Sequence, residues 1–127
     1  MRTILVLAVM WVSMGFAGAV AARCSGEASF AVQACACTVK NRIAAGWNPH
    51  RVLTHYHAPD IRPAPEAVEA ARATLAGELD CPPAYYYLWS HTDIVQIGLR
   101  HEDASGKFCD ERGRCVFAFP RDALKRR

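Results

Sequence analysis

The stretch Arg23-Cys-Ser-Gly-Glu27-Ala-Ser-Phe-Ala-Val-Gln33-Ala-Cys35-Ala-Cys37-Thr-Val-Lys-Asn41-Arg42, continued by Ile43-Ala-Ala-Gly46-Trp47, decides the fold. From Ser29 or Phe30 to Ala45 it reads as one helix. Phe30, Val32, Ala34, Cys35, Thr38, Val39, Ile43 and Ala45 put apolar surface on more than one side, so the helix is central and largely buried. Lys40 and Arg42 fall near its end, where cations suit the dipole, and Gly46 is its C-terminal cap. Glu27 sits just ahead of this helix or at its start. An acid held there against an apolar wall is desolvated, which disfavours its charged form and keeps it protonated as a proton donor. The plainer role for such a Glu is as partner to the positive end of the helix dipole.

Upstream, Met1-Arg2, the apolar run from Ile4 to Val12 and the small residues Ala19-Val-Ala-Ala22 read as a secretory signal peptide over residues 1–22, cut after Ala21 or Ala22. As a membrane anchor the segment is marginal in length and interrupted by Gly15 and Gly18. No later segment is apolar enough to span a bilayer, so no stable membrane span is expected after cleavage. Residues 23–127 then form one small domain. The whole chain carries 15 basic and 12 acidic residues. Loss of Arg2 with the leader lowers the net charge from +3 to +2, too mild to indicate nucleic acid.

All six cysteines lie beyond the leader. An even number in an exported chain indicates disulfides before a zinc site. Cys109 and Cys115 are the clearest pair, because the five residues between them include Gly113 and can turn. For Cys24, Cys35, Cys37 and Cys81 three pairings are open. Cys35 and Cys37 point to different sides of a helix and do not bond each other. One bridge is expected to tie the helix to the Cys81 turn and another to tie it to Cys24. Each closure contributes about 2–4 kcal/mol, which matters in so small a core.

Downstream, Asn48-Pro49 is a capped turn and a short helix is expected from about His50 to Thr54. Prolines 59, 63 and 65 mark a loop. A helix follows from Glu66 to about Ala76 and stops at Gly77, with a Glu69–Arg72 pair on its wet face. Tyr85 to Trp89 is a short extended segment. Ile94 to Leu99 is a strand or one helical turn, which periodicity does not decide. Val116 to Phe119 is a short strand. The chain is thus mainly α, with short strands near its C-terminal end, and tied by disulfides.

Gly26-Glu27-Ala28 before an Ala/Val-rich helix that ends in Asn41-Arg42 resembles the cell wall hydrolases of the spore cortex-lytic (SleB-like) family. Val52-Leu53, Val68 to Gly77, Tyr85 to Trp89 and Gly113-Arg-Cys-Val-Phe117 follow in the family's order. The resemblance covers nearly the whole chain after the leader, through short motifs whose order gives them weight. It departs in three places. The segment after Glu27 is about four residues shorter. The family's Gln-Phe pair is replaced by His55-Tyr56-His57, with Tyr56 in the aromatic role. Cys115 stands for the closing His.

The resemblance implies an α+β, lysozyme-like domain that cleaves peptidoglycan glycan strands. Glu27 would be the catalytic acid, protonating the glycosidic oxygen. In a lytic transglycosylase the same carboxyl then acts as base while the muramic 6-hydroxyl closes an anhydro ring. That chemistry needs one carboxyl, where most glycosidases need two. Should a second take part, Asp93 is the first candidate and Asp60 the second, although turn and cap roles also fit both. Tyr56, Tyr86, Trp89 and Asp93 are the expected substrate-binding residues. An aromatic of the Tyr85–Trp89 segment serves equally well as core.

His55, His57 and Asp60, or His91 and Asp93, raise a metal-dependent hydrolase as an alternative. A zinc site needs a third ligand and no HExxH pattern occurs, so no metal and no cofactor are expected. No phosphate-binding Gly loop or nucleophile motif is present. A further alternative is a non-catalytic envelope protein that binds glycan or a partner.

Overall fold

A computed structural model describes residues 2–56 and 62–125. Among these, helices α1 (Arg2–Ala28), α2 (Val32–Ala44), α3 (Pro49–Leu53), α4 (Pro65–Leu75) and α5 (His91–Ile97) accompany strands β1 (Tyr87–Ser90), β2 (Gly106–Cys109) and β3 (Cys115–Phe119). The fold is a mainly helical small domain with a three-stranded antiparallel sheet, order β1-β3-β2, and three disulfides.

The expected central helix is α2. Its Val32, Cys35, Ala36 and Val39 are buried against Val52 and Leu53 of α3 and Ala71 of α4. Alanines on α2 allow this close approach, and Gly46, at φ 102°, turns the chain away after its last turn. The start differs from the sequence reading. α1 runs on to Ala28, where an extended residue (φ −164°, ψ 95°) breaks it, and the 3-10 turn Ser29–Ala31 re-aims the chain into α2. Glu27 therefore lies in the last turn of α1, at the negative end of its dipole and not at a positive end.

Within the stretch read in the sequence as a leader, residues 17–21 meet the core. Ala17, Val20 and Ala21 are fully buried in the same core cluster as Cys24 and Val39. A cut after Ala21 or Ala22 would remove all three from that core. No described helix is long and apolar enough to cross a membrane.

α4 matches its expected limits. Ala76 closes it, Gly77 follows at φ 82°, and Arg72 holds Glu69 through two hydrogen bonds of 2.9 and 2.6 Å. The ambiguous segment after Trp89 is a helix. Ser90 Oγ accepts from the Asp93 amide while an Asp93 carboxylate oxygen accepts from the Ser90 amide, a reciprocal cap. Strand β2 had no signal in the sequence. It pairs Cys109 with Cys115 and Lys107 with Phe117. A Cβ on Gly106 would lie 2.7 Å from the Tyr85 hydroxyl, so a larger residue there would require the Tyr85 ring to shift.

The bridges are Cys24–Cys35, Cys37–Cys81 and Cys109–Cys115. The first ties the end of α1 to α2, the second ties α2 to the segment before β1, and the third closes the β2–β3 hairpin. Three disulfides suit an oxidising, extracellular-type compartment.

Candidate functional site

Two pockets lie beside the break between α1 and α2, a wide arm and a narrow arm, and Glu27 lines both. The wider arm is about 610 Å³ and lies between Ser25–Phe30, the Ser90–Thr92 corner and the β2–β3 hairpin. Its position follows from the register. β1 leaves the sheet after the Ser90–Val116 pair and turns into α5, while Cys115 continues β3 beyond it. The narrower arm is about 310 Å³ and carries Arg42, His55, Tyr56, Trp89 and Asp93 beside Glu27.

Glu27 is exposed. The apolar wall expected to desolvate it is not closed over it, so dehydration of the carboxyl would have to come from a sugar filling the cleft. One turn back on the same helix, Arg23 donates to the carbonyls of Leu53 (2.8 Å) and Tyr56 (3.1 Å). That contact fixes the end of α1 against the segment after α3.

Tyr56 is buried, and its hydroxyl lies 2.6 Å from Thr38 Oγ1. Burial pushes its phenol pKa above 10.0. Glu27 raises it slightly further, while Arg42 and the Thr38 hydrogen bond act in the opposite direction. Trp89 stacks on Tyr87 at 4.6 Å and leans on Phe119. Asp93 lines the narrow arm, yet one of its oxygens serves the α5 cap. Tyr86 does not line the cleft. It is buried, with its hydroxyl accepting from Trp47 Nε1 at 2.8 Å and its carbonyl accepting from Arg42 Nε at 2.9 Å. Trp89 of β1 thus borders the narrow arm, while Tyr86, just ahead of β1, lies in the interior.

Asn41 has no role of its own in the sequence reading, where Arg42 is only a cation suited to the helix end. Asn41 Nδ2 donates to the carbonyls of Pro82 (3.0 Å) and Tyr85 (2.7 Å). Arg42 is buried and packs its guanidinium over the rings of Tyr56, Tyr86 and Tyr87 at 5.4, 5.7 and 5.0 Å. Its Nη1 lies 3.3 Å from His55 Nδ1. The pair therefore fastens the aromatic segment that supplies Trp89. The signal for it was the charged, polar end of an otherwise apolar helix.

His57 and Asp60 lie outside the described residues. Among the described residues no three His, Cys, Asp or Glu side chains come together to hold a metal ion. His91 Nδ1 sits 2.7 Å from His101 Nε2, and Asp93 is occupied in its cap. Cys115, which stands where the resemblance has a His, is bonded to Cys109. Comparison with known protein families, with curated proteins and with solved structures finds no match.

Proposed function

We propose that this domain is an exported peptidoglycan-cleaving glycosidase or lytic transglycosylase with Glu27 as its single acid. The observation that carries the reading is that Glu27 lines both the wide and the narrow arm. A glycan strand lying along the cleft would pass the carboxyl with sugars on either side. Trp89 offers an aromatic surface in one arm, which suits the apolar face of a sugar ring. Filling the cleft displaces water from Glu27, favours its protonated form and lets it donate to the glycosidic oxygen. The resulting carboxylate then takes a proton from the incoming hydroxyl, which is the muramic 6-hydroxyl in a transglycosylase or water in a muramidase.

Asp93 has one oxygen held by the Ser90 amide. A one-carboxyl mechanism therefore fits better than an acid–nucleophile pair. Replacement of Glu27 by Gln is expected to abolish release of soluble fragments from peptidoglycan while the circular dichroism spectrum stays unchanged. A Glu27→Gln chain that solubilises the polymer as fast as the parent would remove Glu27 from the chemistry.

The exposure of Glu27 and the capping role of Asp93 also favour a second reading, a glycan-binding envelope protein without cleavage. Retention on peptidoglycan with no fragments released would support it.

A further inference from the structure

The two arms of the cleft differ in charge. In the wide arm Glu27 is the lone acid among the lining residues, which also include Lys107, Arg114 and His91. The narrow arm holds the aromatics, Asp93 and His55, and its one cation, Arg42, is buried against the tyrosine rings. The two cations of the wide arm do not sit on a floppy loop. Lys107 is on β2, paired across the sheet with Phe117, and its ammonium lies 5.9 Å from the Phe117 ring. Arg114 directly precedes β3 at the stapled end of the hairpin. Its Nε donates to Asp110 Oδ2 at 2.8 Å, and Asp110 Oδ1 also accepts from the amides of Arg112 and Arg114. This leaves the outer guanidinium nitrogens of Arg114 without a hydrogen-bond partner among the described residues, presented on a rigid turn.

We infer that the wide arm is a subsite for a carboxylate carried on the sugar beside the scissile bond, held by Lys107 and Arg114. The inference rests on the glycan-cleaving reading and adds its specificity. An N-acetylglucosamine polymer without acidic side arms has nothing to offer these cations. A muramoyl residue carries a carboxylate either as a free lactyl group or on its stem peptide. The cations meet both with the same chemistry, charge-assisted hydrogen bonds to a planar anion. A substrate bound this way has its polarity fixed: the acidic residue occupies the wide arm and the neutral residue stacks in the narrow one.

The test measures binding, by titration calorimetry, to the full oxidised chain carrying Glu27→Gln, so that nothing is cleaved. Three tetrasaccharides are compared: a muramoyl-containing one with stem peptides, the same glycan stripped to free lactyl groups, and a chitin tetramer. At least one acidic ligand is expected to bind about tenfold more tightly than chitin, an advantage that falls with added salt. Comparison of the first two shows which carboxylate is read. Lys107→Gln, which leaves the Asp110–Arg114 turn intact, and Arg114→Gln should each erase most of the advantage and leave chitin affinity unchanged. Equal affinity for chitin and both acidic ligands would overturn the subsite while keeping a glycan cleft. An advantage that survives both substitutions would also overturn it. Failure of all three ligands to bind would remove the glycan-cleaving reading itself, and the subsite with it.

Discussion

Replacing Arg42 by Ala is the substitution that most severely tests how the site is held together. Arg42 is a buried cation, and its Nε donates to the Tyr86 carbonyl at 2.9 Å. A hydrogen bond from a charged group is worth about 1.5–3 kcal/mol. The guanidinium also lies over three tyrosine rings at 5.0 to 5.7 Å. Each such contact contributes about 0.5–1 kcal/mol or more when water is excluded, and contacts sharing one cation do not add fully. The Ala variant is therefore expected to lose about 3–5 kcal/mol. That is a large share of the stability of an ordinary domain, about 5–15 kcal/mol. In a thermal scan it corresponds to a fall of about 15 °C for a chain of this length. The assay is urea unfolding of the oxidised protein followed by tryptophan fluorescence, with Arg42→Lys alongside. Lys keeps the charge but lacks the planar fork, so it should recover only part of the loss. A loss below about 1 kcal/mol for the Ala variant would show that the guanidinium does not hold the Tyr85–Trp89 segment.

Other consequences can be measured in the same way. A chain beginning at Arg23 lacks the buried Ala17, Val20 and Ala21 and should be about 3 kcal/mol less stable than one beginning at Gly15. Equal stability would place those residues outside the working core. Because burial raises the Tyr56 pKa above 10.0, the folded state holds that proton more tightly than the unfolded state. The stabilisation is full below pH about 10 and is lost as pH rises through the folded value. Tyr56→Phe should flatten this alkaline fall, and an unchanged profile would contradict the burial. Loss of Cys37–Cys81, which closes a separation of 44 residues, should cost about 4 kcal/mol on loop entropy, against about 2 for the six-residue closure at Cys109–Cys115. Paired serine substitutions with matched melts decide the order. Ser90→Ala should cost about 1 kcal/mol by removing the α5 cap, and no change in the melt would show that the cap is not used.

The helices with strong local signals were readable. α2 showed its apolar spread, α3 its Asn48 cap with Pro49, and α4 its Pro65 start and Gly77 stop. The Cys109–Cys115 pair was readable because seven residues containing a glycine form a hairpin with little help from the rest of the chain. Three features were not. β2 is four residues long and contains one bulky apolar side chain, Phe108, so its strand character comes from pairing with β3. α5 is seven residues held by the Ser90–Asp93 cap and by burial of Ile94, signals that periodicity over so short a window cannot separate from a strand. The end of α1 was hidden because a small-residue run serves a leader's cleavage region and a close-packed helix equally well. In the site, Glu27, Tyr56, Trp89 and Asp93 come together in the cleft, while Tyr86 falls on the inward side of the segment. Lys107 and Arg114 had no local signal, since the hairpin that carries them to the cleft is a tertiary arrangement.

Whether Glu27 cleaves glycan is decided by digesting purified peptidoglycan with the oxidised protein and reading the released fragments by mass spectrometry. Muropeptides ending in anhydro-muramic acid, or in reducing muramic acid, are expected from the parent chain and none from Glu27→Gln. A folded parent chain that binds the polymer and releases no fragments would contradict the proposed activity.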